Sequence, residues 1–147
     1  MYTDAPWEQV TQGDIFVNIE YFYVFNGEVA SRSITGIVLT YECEYDKKNV
    51  TVVYVAEVKP LTDLNPGLQG HVRTHRVVNA FYLQPVSPRN EESYVDFRRI
   101  YRFAKTDIES FVQENKRVLS LTEDSRLALQ HQLSLYFGYD RAQKADQ

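Results

Sequence analysis

The sequence predicts a mainly β fold of the α+β kind, with short aromatic-rich strands first and helical segments last. Three observations point there. The first hundred residues alternate apolar and polar positions with a period near two, the pattern of half-buried strands. Tyrosine and phenylalanine, 11 and 8 of 147 residues, concentrate in those stretches, where they suit a pleated surface. In the last third the period lengthens toward that of amphipathic helices.

A chain of 147 residues, 44% hydrophobic, is long enough for one real core. A single domain over 1–138 is expected, followed by a polar tail over 139–147. Lys and Arg number 16 against 20 Asp and Glu, and the net charge of -4 disfavours broad attraction to nucleic acid or to anionic membrane. A local basic groove stays compatible with that balance. One cysteine allows no intramolecular disulfide, MYTDAPWEQV lacks a signal-peptide pattern, and no apolar run approaches the roughly 20 residues of a membrane span. The expectation is a soluble, cytoplasmic chain without a membrane partner.

The elements follow in order. Gly13-Asp14 opens IFVNIEYFYVF, a long strand with Ile15, Val17, Ile19, Tyr21, Tyr23 and Phe25 on one face. Asn26-Gly27 closes it as a tight turn. SITGIVLTY is the second strand, and its Gly36 marks a bulge or a close backbone approach. The stretch 41-YECEYDKK-48, turning at residues 46–49, links it as a hairpin to VTVVYVAEV. KPLTDLNPGLQG reads as a loop, HVRTHRVVNAFYL as a strand or bent pair of strands, and PVSPRNEE as a second loop.

SYVDFRRIYRF is the last strand, with Arg99 on the apolar face and therefore in need of a carboxylate such as Asp14 or Glu57. Thr106 with Glu109 predicts a capping box for a short helix carrying Ile108, Phe111 and Val112. Ser120 with Glu123 predicts a second, striped by Leu129, Leu133 and Tyr136 and ended by Gly138. About five twisted strands plugged by a C-terminal helix fit a small SH3-like barrel, because closure removes exposed strand edges.

Two stretches carry candidate chemistry. Cys43 lies between Glu42 and Glu44, which oppose thiolate formation, and no histidine adjoins it, so it reads as a small packed hydrophobe beside a turn. A lone cysteine makes no zinc site, and neither a metal nor a cofactor is expected. On a strand, 71-HVRTHR-76 would put His71, Arg73 and His75 on one face, two imidazoles flanking a guanidinium. That set suits gripping a phosphate and moving protons; a solvated strand edge explains it equally. The signatures of phosphate-binding loops, dinucleotide folds, zincins and α/β-hydrolases are absent from the sequence.

The order of pieces resembles the MazF/PemK family of toxins. The resemblance runs through 13-GDIFVNI-19, 36-GIVLT-40, 53-VYVAEV-58, 96-DFRRIYRF-103 and 119-LSLTEDSRLALQHQLSLYFG-138, most of the chain. It implies an SH3-like barrel with a C-terminal helix, frequent homodimerisation and, in active members, metal-independent cleavage of single-stranded RNA. The partners implied are that RNA or a protein such as an antitoxin.

Active members of that family carry an arginine just before the second strand and a threonine or serine at the end of the third. Here Ile34 falls near the first position and Lys59 near the second, with Arg32 two residues early and Thr35 one late. The pair is not reproduced. Metal-free cleavage needs a base for the 2′-hydroxyl, a cation for the crowded phosphate and an acid for the leaving oxygen. Arg32, Lys59 and His75 are the candidates for these roles, with His71, Arg73 and Thr35 as RNA contacts. The competing reading is a non-catalytic interaction module of the same fold, rich in tyrosine, with Cys43, Asp46 and Lys47 in one contact loop and 60-PLTDLNPGLQG-70 as another.

Overall fold

The computed structural model describes residues 1–3, 9–86 and 90–145, with side chains described to residue 138 except at positions 42 and 43. Its elements are β1 (Tyr2–Thr3), β2 (Asp14–Phe25), β3 (Glu28–Val38), α1 (Glu42–Tyr45), β4 (Val52–Pro60), α2 (Pro66–Arg73), β5 (Ala80–Leu83), β6 (Ser93–Ala104), α3 (Lys105–Gln113), β7 (Arg117–Leu121) and α4 (Glu123–Ala145). The mainly β expectation holds. The count does not: seven strands, all paired antiparallel, form one curled sheet in the order β1-β7-β2-β3-β4-β6-β5. The sheet is a half-barrel whose end strands are not paired with each other among the described residues.

The β2–β3 hairpin turns where expected, with Asn26 and Gly27 at φ 52° and 77°, the pair of left-handed residues that a two-residue turn requires. The uniform face predicted for β2 is corrected. Asn18 sits at φ 53° within a register shift between Phe16 and Ile19, so Ile15 enters one core while Phe16 and Ile19 enter the other. Gly36 is a close approach: a Cβ there would lie 2.3 Å from Val55 Cγ1. Beyond Ile19 and Ile34 the hairpin runs on as a two-stranded ribbon, with Phe22, Val24, Phe25 and Val29 exposed.

Each face of the sheet buries a cluster. On the first, Leu129 and Leu133 of α4 cover Ile37, Ala56, Phe81, Val95 and Phe97, as the leucine stripe predicted. On the second, Tyr45 of α1 and Ile108 of α3 cover Phe16, Ile34, Val53, Val55 and Phe103. A smaller cluster, Leu61, Val72, Ala80 and Tyr94, seats α2 beside the second. At the sheet's other end Asp14 is fully buried, accepting from Thr11 N–H and Oγ1, Ser120 Oγ and Arg117 Nη1.

Several local expectations are overturned. Residues 66–73 are helical, because Asn65 caps the Leu68 N–H and Pro66 takes the first turn, where a missing N–H costs nothing. Of the predicted strand HVRTHRVVNAFYL only Ala80–Leu83 is extended. Between β3 and β4 the connection contains α1, and the turn closes at Val50 N–H to Lys47 O rather than spanning a plain hairpin.

Thr106 lies inside α3, which starts from Ala104 without a side-chain cap and is tied by Lys105 N–H to Thr51 O. Thr122, not Ser120, meets the first turn of α4, its Oγ1 accepting from Ser125 N–H at 3.4 Å. Gly138 does not end α4, which runs to Ala145; the rest of the predicted tail, 146–147, lies outside the described residues. Part of the predicted loop PVSPRNEE, residues 87–89, lies outside them as well.

Candidate functional site

Antiparallel partners share a face, so β3, β4 and β6 bring Arg32, Glu57, Lys59, Asp96 and Tyr101 onto the second face of the sheet, between the cluster under α3 and the one under α2. Glu57 and Asp96 sit directly opposite one another, their side chains only 4% and 2% exposed. Two carboxylates withdrawn this far from water need cations. Arg32 Nη2 donates to Glu57 Oε1 at 2.5 Å, and Lys59 Nζ lies 3.6 Å from Glu57 Oε2 and 3.3 Å from Asp96 Oδ2.

Arg98 closes the other side. Its N–H and Nε donate to Asp96 Oδ1 at 3.0 and 3.3 Å, an aspartate reaching two residues forward along the chain. That contact sits in a register shift: Glu57 pairs with Asp96 but Ala56 with Ile100, leaving Phe97, Arg98 and Arg99 as extra residues in β6. The shift corrects the inward placement of Arg99, which is exposed. Asp14 pairs with Arg117 and Glu57 with Arg32 and Lys59 instead.

The cluster therefore has a buried acidic floor and a cationic rim. Lys59 is 22% exposed, Arg32 47% and Arg98 60%. Three cations face two carboxylates, an excess of one positive charge pointing to solvent. Burial pushes the Asp96 carboxyl up, but the hydrogen bonds from Arg98 and Lys59 outweigh it and hold the group below its usual range. Tyr101, whose hydroxyl accepts from Arg32 Nη1 at 3.4 Å, is raised by burial and then by Glu57. Tyr21 packs edge-on against its ring at 4.6 Å between centroids and 62°, fixing the wall toward the ribbon.

Of the predicted catalytic residues, Arg32 and Lys59 meet here and His75 does not. His75, at φ 59° just beyond α2, has its ring 5.8 Å from that of Phe81. His71 is exposed on α2, and Arg73 is held by Glu92 through two bonds of 2.8 Å, so the strand face expected for His71, Arg73 and His75 does not exist. Thr35 points to the sheet face opposite Arg32 by alternation along β3. The Cys43 backbone lies in α1 and its side chain is outside the described residues; Asp46 and Lys47 are exposed, Lys47 paired with Glu44 at 2.7 Å.

No motif or spacing in the sequence singles out Glu57, Asp96 and Arg98 as site residues. A signal was present: Glu57 shares the parity of Val53 and Val55 in a strand apolar from Val52 to Val58 but for it, and a carboxylate on a core-facing position demands a partner. Among the described residues no group of three or more His, Cys, Asp or Glu is placed to hold a metal. Elsewhere, a groove of about 780 Å³ opens on the first face between Leu39, Tyr41, Tyr54, Ile100, Leu133 and Phe137, with Arg102 at its wall. No helix among the described residues is long and apolar enough to cross a membrane. Comparison with protein-family models, curated proteins and solved structures yields no match.

Proposed function

We propose that the chain is a divergent MazF/PemK-like domain of the cytoplasm that binds single-stranded RNA and cleaves it without a metal, with Arg32 and Lys59 on the scissile phosphate. The observation that carries this reading is the convergence of those two cations, from neighbouring strands, on one buried carboxylate at a solvent-facing rim. Their excess positive charge suits a phosphodiester anion, and Arg32 offers the planar fork that phosphate oxygens accept in pairs. Labelled single-stranded RNA incubated with the protein in chelator is expected to yield 2′,3′-cyclic phosphate ends. Intact RNA together with no binding in a gel-shift assay overturns the proposal.

The exposed ribbon favours a second reading, a non-catalytic interaction module. Phe22, Val24 and Val29 are 62%, 73% and 76% exposed on a hairpin that two strands alone support poorly. In this reading a protein covers the ribbon, a second copy or an antitoxin, and the domain has no reaction of its own. Sedimentation that shows a dimer lost in Val24→Asp, with RNA untouched, is the result that selects it.

A further inference from the structure

Glu57 is an incompletely bonded carboxylate. Arg32 supplies the one hydrogen bond its side chain accepts among the described residues; Oε2 accepts none and has only the ion pair with Lys59 at 3.6 Å. Arg32 itself is about half exposed, so its guanidinium has room to leave toward solvent, whereas Glu57 is fixed in the sheet at 4% exposure. A phosphate and a carboxylate compete for the same arginine fork.

Resting on the RNA reading above, we propose that Glu57 is the proton acceptor of the cleavage, capped by Arg32 until the scissile phosphate draws that guanidinium away. The substrate thereby uncovers its own base. Glu57 Oε1 takes the proton of the 2′-hydroxyl as the 2′-oxygen bonds to phosphorus. The bond from phosphorus to the 5′-oxygen breaks, and Lys59 Nζ gives that oxygen a proton. The products are a 2′,3′-cyclic phosphate and a 5′-hydroxyl. Passage of the proton from Glu57 to the neighbouring Lys59 restores both groups, with Asp96 holding the lysine in place.

The test is Glu57→Gln, which keeps an oxygen for Arg32 but removes the base. Single-turnover cleavage of labelled RNA in chelator and anisotropy binding of a non-cleavable 2′-deoxy analogue are measured together. The expected result is a loss of cleavage of about 100-fold or more with binding of the analogue retained or several-fold tighter, since the competitor for Arg32 is weakened. Should Glu57→Gln unfold, Glu57→Asp keeps the charge and withdraws the carboxylate by one methylene, and the same split is expected.

Cleavage within a few-fold of wild type in the folded variant overturns the assignment and leaves the RNA reading standing. Wild-type binding without cleavage overturns the assignment together with the cleavage half of the RNA reading, and leaves the binding half. A wild type that neither binds nor cleaves overturns both.

Discussion

Arg32 Nη2 donates to Glu57 Oε1 at 2.5 Å, joining a half-exposed cation to a carboxylate that is almost wholly buried. The asymmetry determines what each substitution does. Arg32→Ala leaves Glu57 with Lys59 alone, and the expected cost is about 1–3 kcal/mol, kept below that of a fully buried pair because water screens the arginine. In a Glu57→Gln background the same Arg32→Ala change costs less than about 1 kcal/mol, since no charge is stranded. Urea unfolding of the four proteins measures the difference. Strict additivity would mean that the pair contributes nothing to the fold.

Gly36 answers to packing. A Cβ placed 2.3 Å from Val55 Cγ1 cannot be accommodated without a shift of the Val55 side chain or of β3 from β4. Gly36→Ala is expected to destabilise by about 1–3 kcal/mol, the usual range for overpacking. In Val55→Ala the obstructing methyl is gone, so adding Gly36→Ala to that variant should cost much less. Equal costs in the two backgrounds, read from denaturant midpoints, would count against the contact.

Glu92 predicts acid sensitivity. Hydrogen bonds from Arg73 and then Tyr82 hold its carboxyl at about 2, below its usual 4.5. Below pH 4.5 the unfolded chain takes up a proton that the folded one refuses until about pH 2, so this stabilisation is present above 4.5 and lost on descent to 2. Glu92→Gln should therefore flatten the stability profile across that window, and the two proteins should converge near pH 2. Tyr82 acts at the alkaline end with opposite sign: burial, then its bond to Glu92, raises it to about 12, so its contribution is present below pH 10 and lost on ascent through 12. Stability measured at several pH values in urea checks both ends.

Local signals in the chain were sound where a single interaction decided the outcome. Asn26-Gly27 imposed its turn, and Leu129 and Leu133 imposed the buried side of α4. Local signals mislead where two of them compete. Pro66, Gly67 and Gly70 suggested a loop, yet Asn65 as cap and Pro66 in the first turn started a helix, which dismantled the imagined row of His71, Arg73 and His75. Alternation also failed at Asn18 and at Phe97–Arg99, since an odd number of extra residues, one in β2 and three in β6, exchanges the faces of everything beyond it. The site was half visible for the same reason. Arg32 and Lys59 could be named individually, but their meeting depends on Gly36 standing opposite Glu57, and that register comes from long-range pairing.

Tyr2 is the partner of Leu121 in one of the two edge pairings of the sheet. β1 is therefore made before the other strands among the described residues and finds its neighbour last, after a delay on the order of ten seconds at ordinary elongation rates. The β2–β3 ribbon, with its apolar tip, is made early in the same interval, before β4, β6 and β7. The edge that β1 closes is thus the last part of the sheet that synthesis allows to form.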